Sequence, residues 1–151
     1  MKIDLRNDEY AIAWVNKNHN EEFVPELCHN ITMLGKDGKI RAVVVFNQWS
    51  DHGCFMHIFS DGSKAWCSPR LIRASFAHAF WDCSKERVTG IVDARNRSAL
   101  AFDQKLGFKV EGIARDANGP DLDSVILGFT RRDWEQSRWW VPPPQELRGV
   151  A

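Results

Sequence analysis

NRSALAFDQKLGF, residues 96–108, lies between two strand-like stretches, RVTGIVDA (87–94) and FKVEGIA (108–114), and its two ends explain why a helix fits there. A helix from Arg97 to Leu106 leaves Gly107 just past its last turn. There a left-handed backbone closes the final carbonyls, a conformation only glycine adopts without strain. Asn96 suits the other end, because its side-chain oxygen can accept an amide of the first turn. Ala99, Phe102 and Leu106 form the expected inner stripe, with Phe108 folding back on Phe102. Asn96, Arg97 and Ser98 sit at an end carrying free amides and partial positive charge, which can also hold a ligand.

Working outward, SPRLIRASFAHAFWDCSKE (68–86) is the strongest helix signal. Ser68 can cap it, Pro69 fits the first helical position, and Ile72, Phe76, Ala79 or Phe80, and Cys83 recur at helical spacing. NDEYAIAWVNKNH (7–19) reads as a helix capped by Asn7 or Asp8, with Ala11, Ile12 and Val15 inward. EEFVPELCH (21–29) reads as a second helical piece. Strands are expected in KIDL (2–5), ITML (31–34), IRAVVVFNQW (40–49), GCFMHIFS (53–60) and SVILGFTR (124–131). Asp37-Gly38 is a hairpin turn, and Asp61-Gly62 ends the next strand. An antiparallel meander, one strand–helix–strand crossover, a short helix and a closing hairpin imply an α/β protein: a mixed, mostly antiparallel sheet with helices on both faces.

The 151 residues and zero net charge fit one domain, over residues 1–141, followed by a Pro-rich tail, 142–151. Neutral balance disfavours a nucleic-acid or membrane binder, and either a monomer or a homodimer is compatible with it. MKIDLRNDEY has no signal-peptide pattern and no apolar run approaches the ~20 residues of a membrane span, so a cytoplasmic protein is expected. Cys28, Cys54, Cys67 and Cys83 contain no C-x-x-C pair, so their spacing suggests neither a metal site nor a redox motif but buried thiols. Seven tryptophans are an excess. Trp134, Trp139 and Trp140 must be covered by core, partner or ligand.

VTGIVDARNRSALAFDQKLGFKVEGIARD followed by SVILGFTRRDW, about residues 88 to 134, resembles the C-terminal half of the GNAT N-acyltransferases, nearest their protein N-terminus and ribosomal-protein acetyltransferase branch. The resemblance implies an enzyme that moves an acetyl or related acyl group from acyl-CoA to a primary amine by direct attack in a ternary complex. It places the coenzyme where two strands splay apart and expose backbone amides. Here that edge runs from Phe55 to Phe59, with Phe55 and Ile58 among the coenzyme contacts. The loop from Gly62 to Arg70, with Cys67 and Ser68, would face the pyrophosphate beside the cations Lys64, Arg70 and Arg73. The family's loop is glycine-rich, whereas KAWCSP carries Cys67 and Pro69 where glycines belong. Asp103 falls at the family's tyrosine position; the chain's only tyrosine is Tyr10. Ser98 lies near the branch's serine and orients sulfur or water, and Asn96 faces the coenzyme arm. Strand alternation puts Phe55, His57 and Phe59 on one face, so His57 is the leading base, with Asp93 and His52 in reserve. Two further readings are a DNA-modifying enzyme resembling the phage Mom family, which decorates adenine, and a non-catalytic binding module that docks a partner through its Trp-rich tail.

Overall fold

A computed structural model describes residues 1–145. Its strands are β1 (Lys2–Asp4), β2 (His29–Leu34), β3 (Ile40–Asn47), β4 (Gly53–Ser60), β5 (Arg87–Asp93), β6 (Lys109–Ala114) and β7 (Ser124–Thr130). Four α-helices accompany them among the described residues: α1 (Glu9–His19), α2 (Pro69–Ala77), α3 (Arg97–Leu106) and α4 (Arg131–Glu135). The seven strands form one sheet in the order β1-β2-β3-β4-β5-β7-β6. β4 and β5 run parallel, joined through α2, and the other neighbours are antiparallel. The expected mixed sheet with helices on both faces is what forms.

β3 shows why both faces must be covered, for its centre is a continuous apolar run rather than an alternating one. Val43 and Val45 pack under Ala11, Ile12 and Val15 of α1. Ala42, Val44 and Phe46 point the other way, into a larger core with Leu71, Ile72 and Phe76 of α2. That core also encloses Trp134 and Trp139, while Trp140 is half-exposed. Trp81 donates its indole N–H to the Val141 carbonyl at 2.9 Å. Two of the three surplus C-terminal tryptophans are therefore core residues and not a docking surface. Of the tail expected over 142–151, residues 146–151 lie outside the described residues.

Several local expectations are corrected. The helix expected over 68–86 stops at Ala77 and passes into one π-helical turn, His78–Asp82, in which the Cys83 amide reaches back to the His78 carbonyl at 2.9 Å. The wider turn buries adjacent Ala79 and Phe80 completely. EEFVPELCH holds only the 3-10 turn Pro25–Leu27, because the residue before a proline is pushed out of the helical region, and Val24 is extended (φ −94°, ψ 115°). Past β7, Thr130 accepts the Asp133 amide and starts α4. Phe108 stacks on Phe129, 5.4 Å between centroids.

Candidate functional site

β4 and β5 pair only from Gly53↔Arg87 to Phe55↔Thr89. Beyond that point they diverge, while the other edge of β4 stays paired with β3 as far as Ser60. The divergence opens a cleft of about 470 Å³, bounded by β4, β5, the start of α3 and Trp66. It also explains why the α3 stripe is only partly buried. Leu106 reaches the core, but Ala99 and Phe102 line the cleft and stay half-exposed.

Asn96 caps α3 as the sequence predicts, its Oδ1 accepting the Ala99 amide at 3.2 Å. The Ser98 hydroxyl donates to the same oxygen at 3.1 Å. Both residues line the cleft, and so do His57, Ile58, Asp93 and Asp103. Their chemistry is set by surroundings that sequence alone does not show. His57 Nε2–H donates to Asn47 Oδ1 at 2.9 Å, and its ring lies 5.3 Å from that of Phe23. Burial holds it neutral, its pKa lowered to about 4. Asp93 is a half-buried anion whose pKa hydrogen bonds from Arg95 lower to about 2. Asp103 differs from both. Its carboxylate makes no hydrogen bond or ion pair among the described residues, and burial raises its pKa to about 6. It lies over the bare backbone of Gly90, where an added Cβ would be 3.8 Å from Asp103 Oδ2.

The remaining sequence candidates lie elsewhere. Phe55 sits at the last β4–β5 pair, the closed end of the cleft. His52 precedes β4, and its carbonyl accepts the amides of Glu86 and Arg87. Lys64 is exposed on the β4–α2 connection and Arg70 in the first turn of α2, and Ser68 is occupied in capping α2. Cys67 and Arg73 line a second cleft, of about 220 Å³, together with Lys105, Arg138 and Trp139. Phe102 is common to both clefts, and Trp66 stands edge-on to it at 4.2 Å.

No family model matches the sequence, and no curated protein matches it. Solved structures do. A mutant spermidine N-acetyltransferase from Vibrio cholerae superposes with a TM-score of 0.75 at 14% identity, covering 89% of this chain and 96% of the other. A chimeric form of the Vibrio cholerae enzyme gives 0.75 at 14% identity over 91% and 100%. The ribosomal-protein-S5-alanine acetyltransferase from Vibrio fischeri gives 0.61 at 19% identity over 83% and 69%. The chain has the GNAT fold.

Within the GNAT fold of this chain, sequence reasoning missed Glu21, Trp66 and Gly90 of the first cleft and Lys105 and Arg138 of the second. Only Gly90 left a signal. A glycine inside a strand marks a close approach, here that of Asp103 and Phe108. The others come from loops and helix ends whose meeting is a tertiary event. No helix among the described residues is long and apolar enough to cross a membrane.

Proposed function

We propose that the protein is an N-acyltransferase carrying an acetyl or related acyl group from acyl-CoA to a primary amine. The observation that carries this reading is the divergence of β4 and β5 after three pairs, onto a cleft that ends at the unpartnered carboxylate of Asp103. Diverging strands leave backbone amides of β4 facing the cleft, and such donors can grip an amide-bearing arm and polarise a thioester carbonyl. The second cleft suits the phosphate-bearing end, for Arg73, Lys105 and Arg138 surround it. Lys64 on the preceding loop and Arg70 in the first turn of α2 add further positive charge. The arm would pass Trp66 and Phe102 to reach the diverging strands.

Acyl-CoA supplies the activated acyl group. The amine nitrogen bonds to the acyl carbon as the carbon–sulfur bond breaks, and the sulfur leaves with a proton. An amine arrives as its ammonium, so a group in the cleft must take a proton first. Asp103 is the residue suited to this: at a pKa of about 6 it is mostly ionised at neutral pH yet basic enough to share a proton. His57 holds too weak a basicity, and Asp93 is committed to Arg95. Protonated Asp103 can return that proton to the departing sulfur, and the second proton of the attacking nitrogen is lost to solvent as the amide forms. Holding amine and thioester together supplies much of the remaining acceleration.

Glu21, Asp93 and Asp103 make the cleft acidic, which favours a cationic acceptor. Spermidine and an alanine of ribosomal protein S5, named in the descriptions of structural neighbours, are both amines. An acidic lining does not suit a DNA backbone, so the adenine-modifying reading is set aside. Calorimetry with acetyl-CoA tests the proposal. We expect micromolar binding, weakened by Arg73→Ala and Lys105→Ala. Absence of heat and of any thermal shift at millimolar coenzyme would overturn it, since a ligand of the native state must stabilise that state.

A further inference from the structure

Three metal-ligating side chains meet at the far end of α2, away from the cleft. His29 opens β2, His78 opens the π-helical turn, and Cys83 closes that turn. His29 Nδ1 lies 3.0 Å from His78 Nε2. Cys83 Sγ lies 3.8 Å from His29 Nδ1 and 3.5 Å from His78 Nε2. All three residues are half-buried.

We propose that His29, His78 and Cys83 bind one divalent transition-metal ion of the zinc class. The triangle has the dimensions such an ion requires. With zinc–nitrogen bonds of about 2.0–2.1 Å and a zinc–sulfur bond of about 2.3 Å, tetrahedral angles put two nitrogens about 3.3 Å apart and a nitrogen and sulfur about 3.6 Å apart. Each observed separation is within a few tenths of an ångström of these. Two imidazoles and a thiol are also the donor set that favours zinc over magnesium or calcium. Three protein ligands leave the fourth tetrahedral position to water.

A second tier of contacts orients the ligands. Asp82 lies 3.2 Å from His78 Nδ1. A proton held there by the carboxylate leaves the lone pair of Nε2 directed at the other two ligands, the carboxylate–histidine–metal arrangement. The His29 ring packs 4.5 Å from Trp49 and the His78 ring 4.9 Å from Phe46, a largely apolar wall that fixes both. Without an ion, the imidazoles share a hydrogen bond; metal binding moves the His29 proton to Nε2 and releases the Cys83 thiol proton. The π-helical turn is what makes the meeting possible. Its extra residue brings His78 and Cys83, five apart in sequence, to one point.

The experiment uses the full chain without an affinity tag, stripped with EDTA and titrated with Zn2+ against a chromophoric chelator, and separately with Co2+. We expect one bound equivalent, a tetrahedral cobalt spectrum with a thiolate-to-cobalt band, and a higher melting temperature with Zn2+. Cys83→Ser removes the thiolate band. Asp82→Ala, which keeps all three ligands, weakens zinc binding roughly 10- to 100-fold. Failure of the wild-type chain to bind Zn2+ in molar excess overturns the proposal. So does a wild-type cobalt spectrum lacking a thiolate band, a result that needs no variant to fold. Zinc binding unchanged in both His29→Ala and Cys83→Ser overturns it as well.

Discussion

Asp103→Asn separates what the carboxylate costs the fold from what it does in the cleft. Burial raises the pKa of Asp103 from an ordinary 3.8 to about 6, so the ionised form is penalised in the folded protein. The full shift corresponds to about 3 kcal/mol. Part of the residue is open to solvent on the cleft side, and screening there brings the expectation to about 1–2 kcal/mol. The sign follows from linkage. Well below pH 3.8 the group is protonated in folded and unfolded chains alike, and no penalty exists. The penalty grows as pH rises and is complete above about pH 6. Asparagine has the same shape and no charge. Asp103→Asn is therefore expected to be more stable than wild type by about 1–2 kcal/mol at pH 7 to 8, a rise of about 2–8 °C in Tm for a chain of this size. The difference should shrink as pH falls through about 4 and vanish below about pH 3. Urea unfolding across that pH range measures it. In the same variant acyl transfer should fall about 100-fold, the lower end for loss of a positioned acid–base group. Equal stability of the two proteins at pH 8 would refute the account of a buried, unpartnered carboxylate, and full activity would refute its proton-transfer role.

Asn96→Asp should keep the cap on α3 and leave unfolding free energy unchanged, while acetyl-CoA affinity drops because the variant loses an amide donor and adds negative charge beside a phosphate-bearing ligand; paired thermal and calorimetric measurements decide it. Gly107 has φ 118°, and a Cβ there would lie 2.7 Å from Phe129 Cε1. Gly107→Val should destabilise the protein by about 2–4 kcal/mol, combining backbone strain with overpacking, and an unchanged urea midpoint would count against this. Trp66→Ala removes the ring standing against Phe102 and should speed acetyl-CoA association in stopped flow; an identical rate would show that the two rings do not restrict passage.

The sheet and α3 were legible in the sequence because their signals are local. GCFMHIFS has the bounds of β4, and Asn96 and Gly107 set the ends of α3. The π-helical turn was not, since the periodicity of 68–86 continues through it and the packing of Phe80 under Trp134 is a long-range contact. Candidate residues on the cleft were named from motif and alternation, yet their protonation could not be. His57 and Asp103 depart in opposite directions from ordinary behaviour because each is buried by segments distant in sequence. Cysteine spacing gave no sign of the His29–His78–Cys83 cluster. Its members are 49 and 54 residues apart across β2 and the turn, beyond any local motif.

The brevity of the β4–β5 pairing has a mechanical consequence. Gly53 to Phe55 make the only strand pairs, among the described residues, between a four-strand plate, β1 to β4, and a three-strand plate, β5 to β7. Each plate is internally stiff, with six pairs between β3 and β4 and seven between β5 and β7. The hydrogen-bonded connection between the plates is therefore confined to three stitches beside the cleft. A molecule lying between the plates and bonded to both adds stitches where the protein has none. The first molecule to bind bears the entropic cost of stilling the seam, and the second finds it already still. Two ligands, one held mainly by each plate, would then help each other to bind, with the sheet itself as the coupling spring.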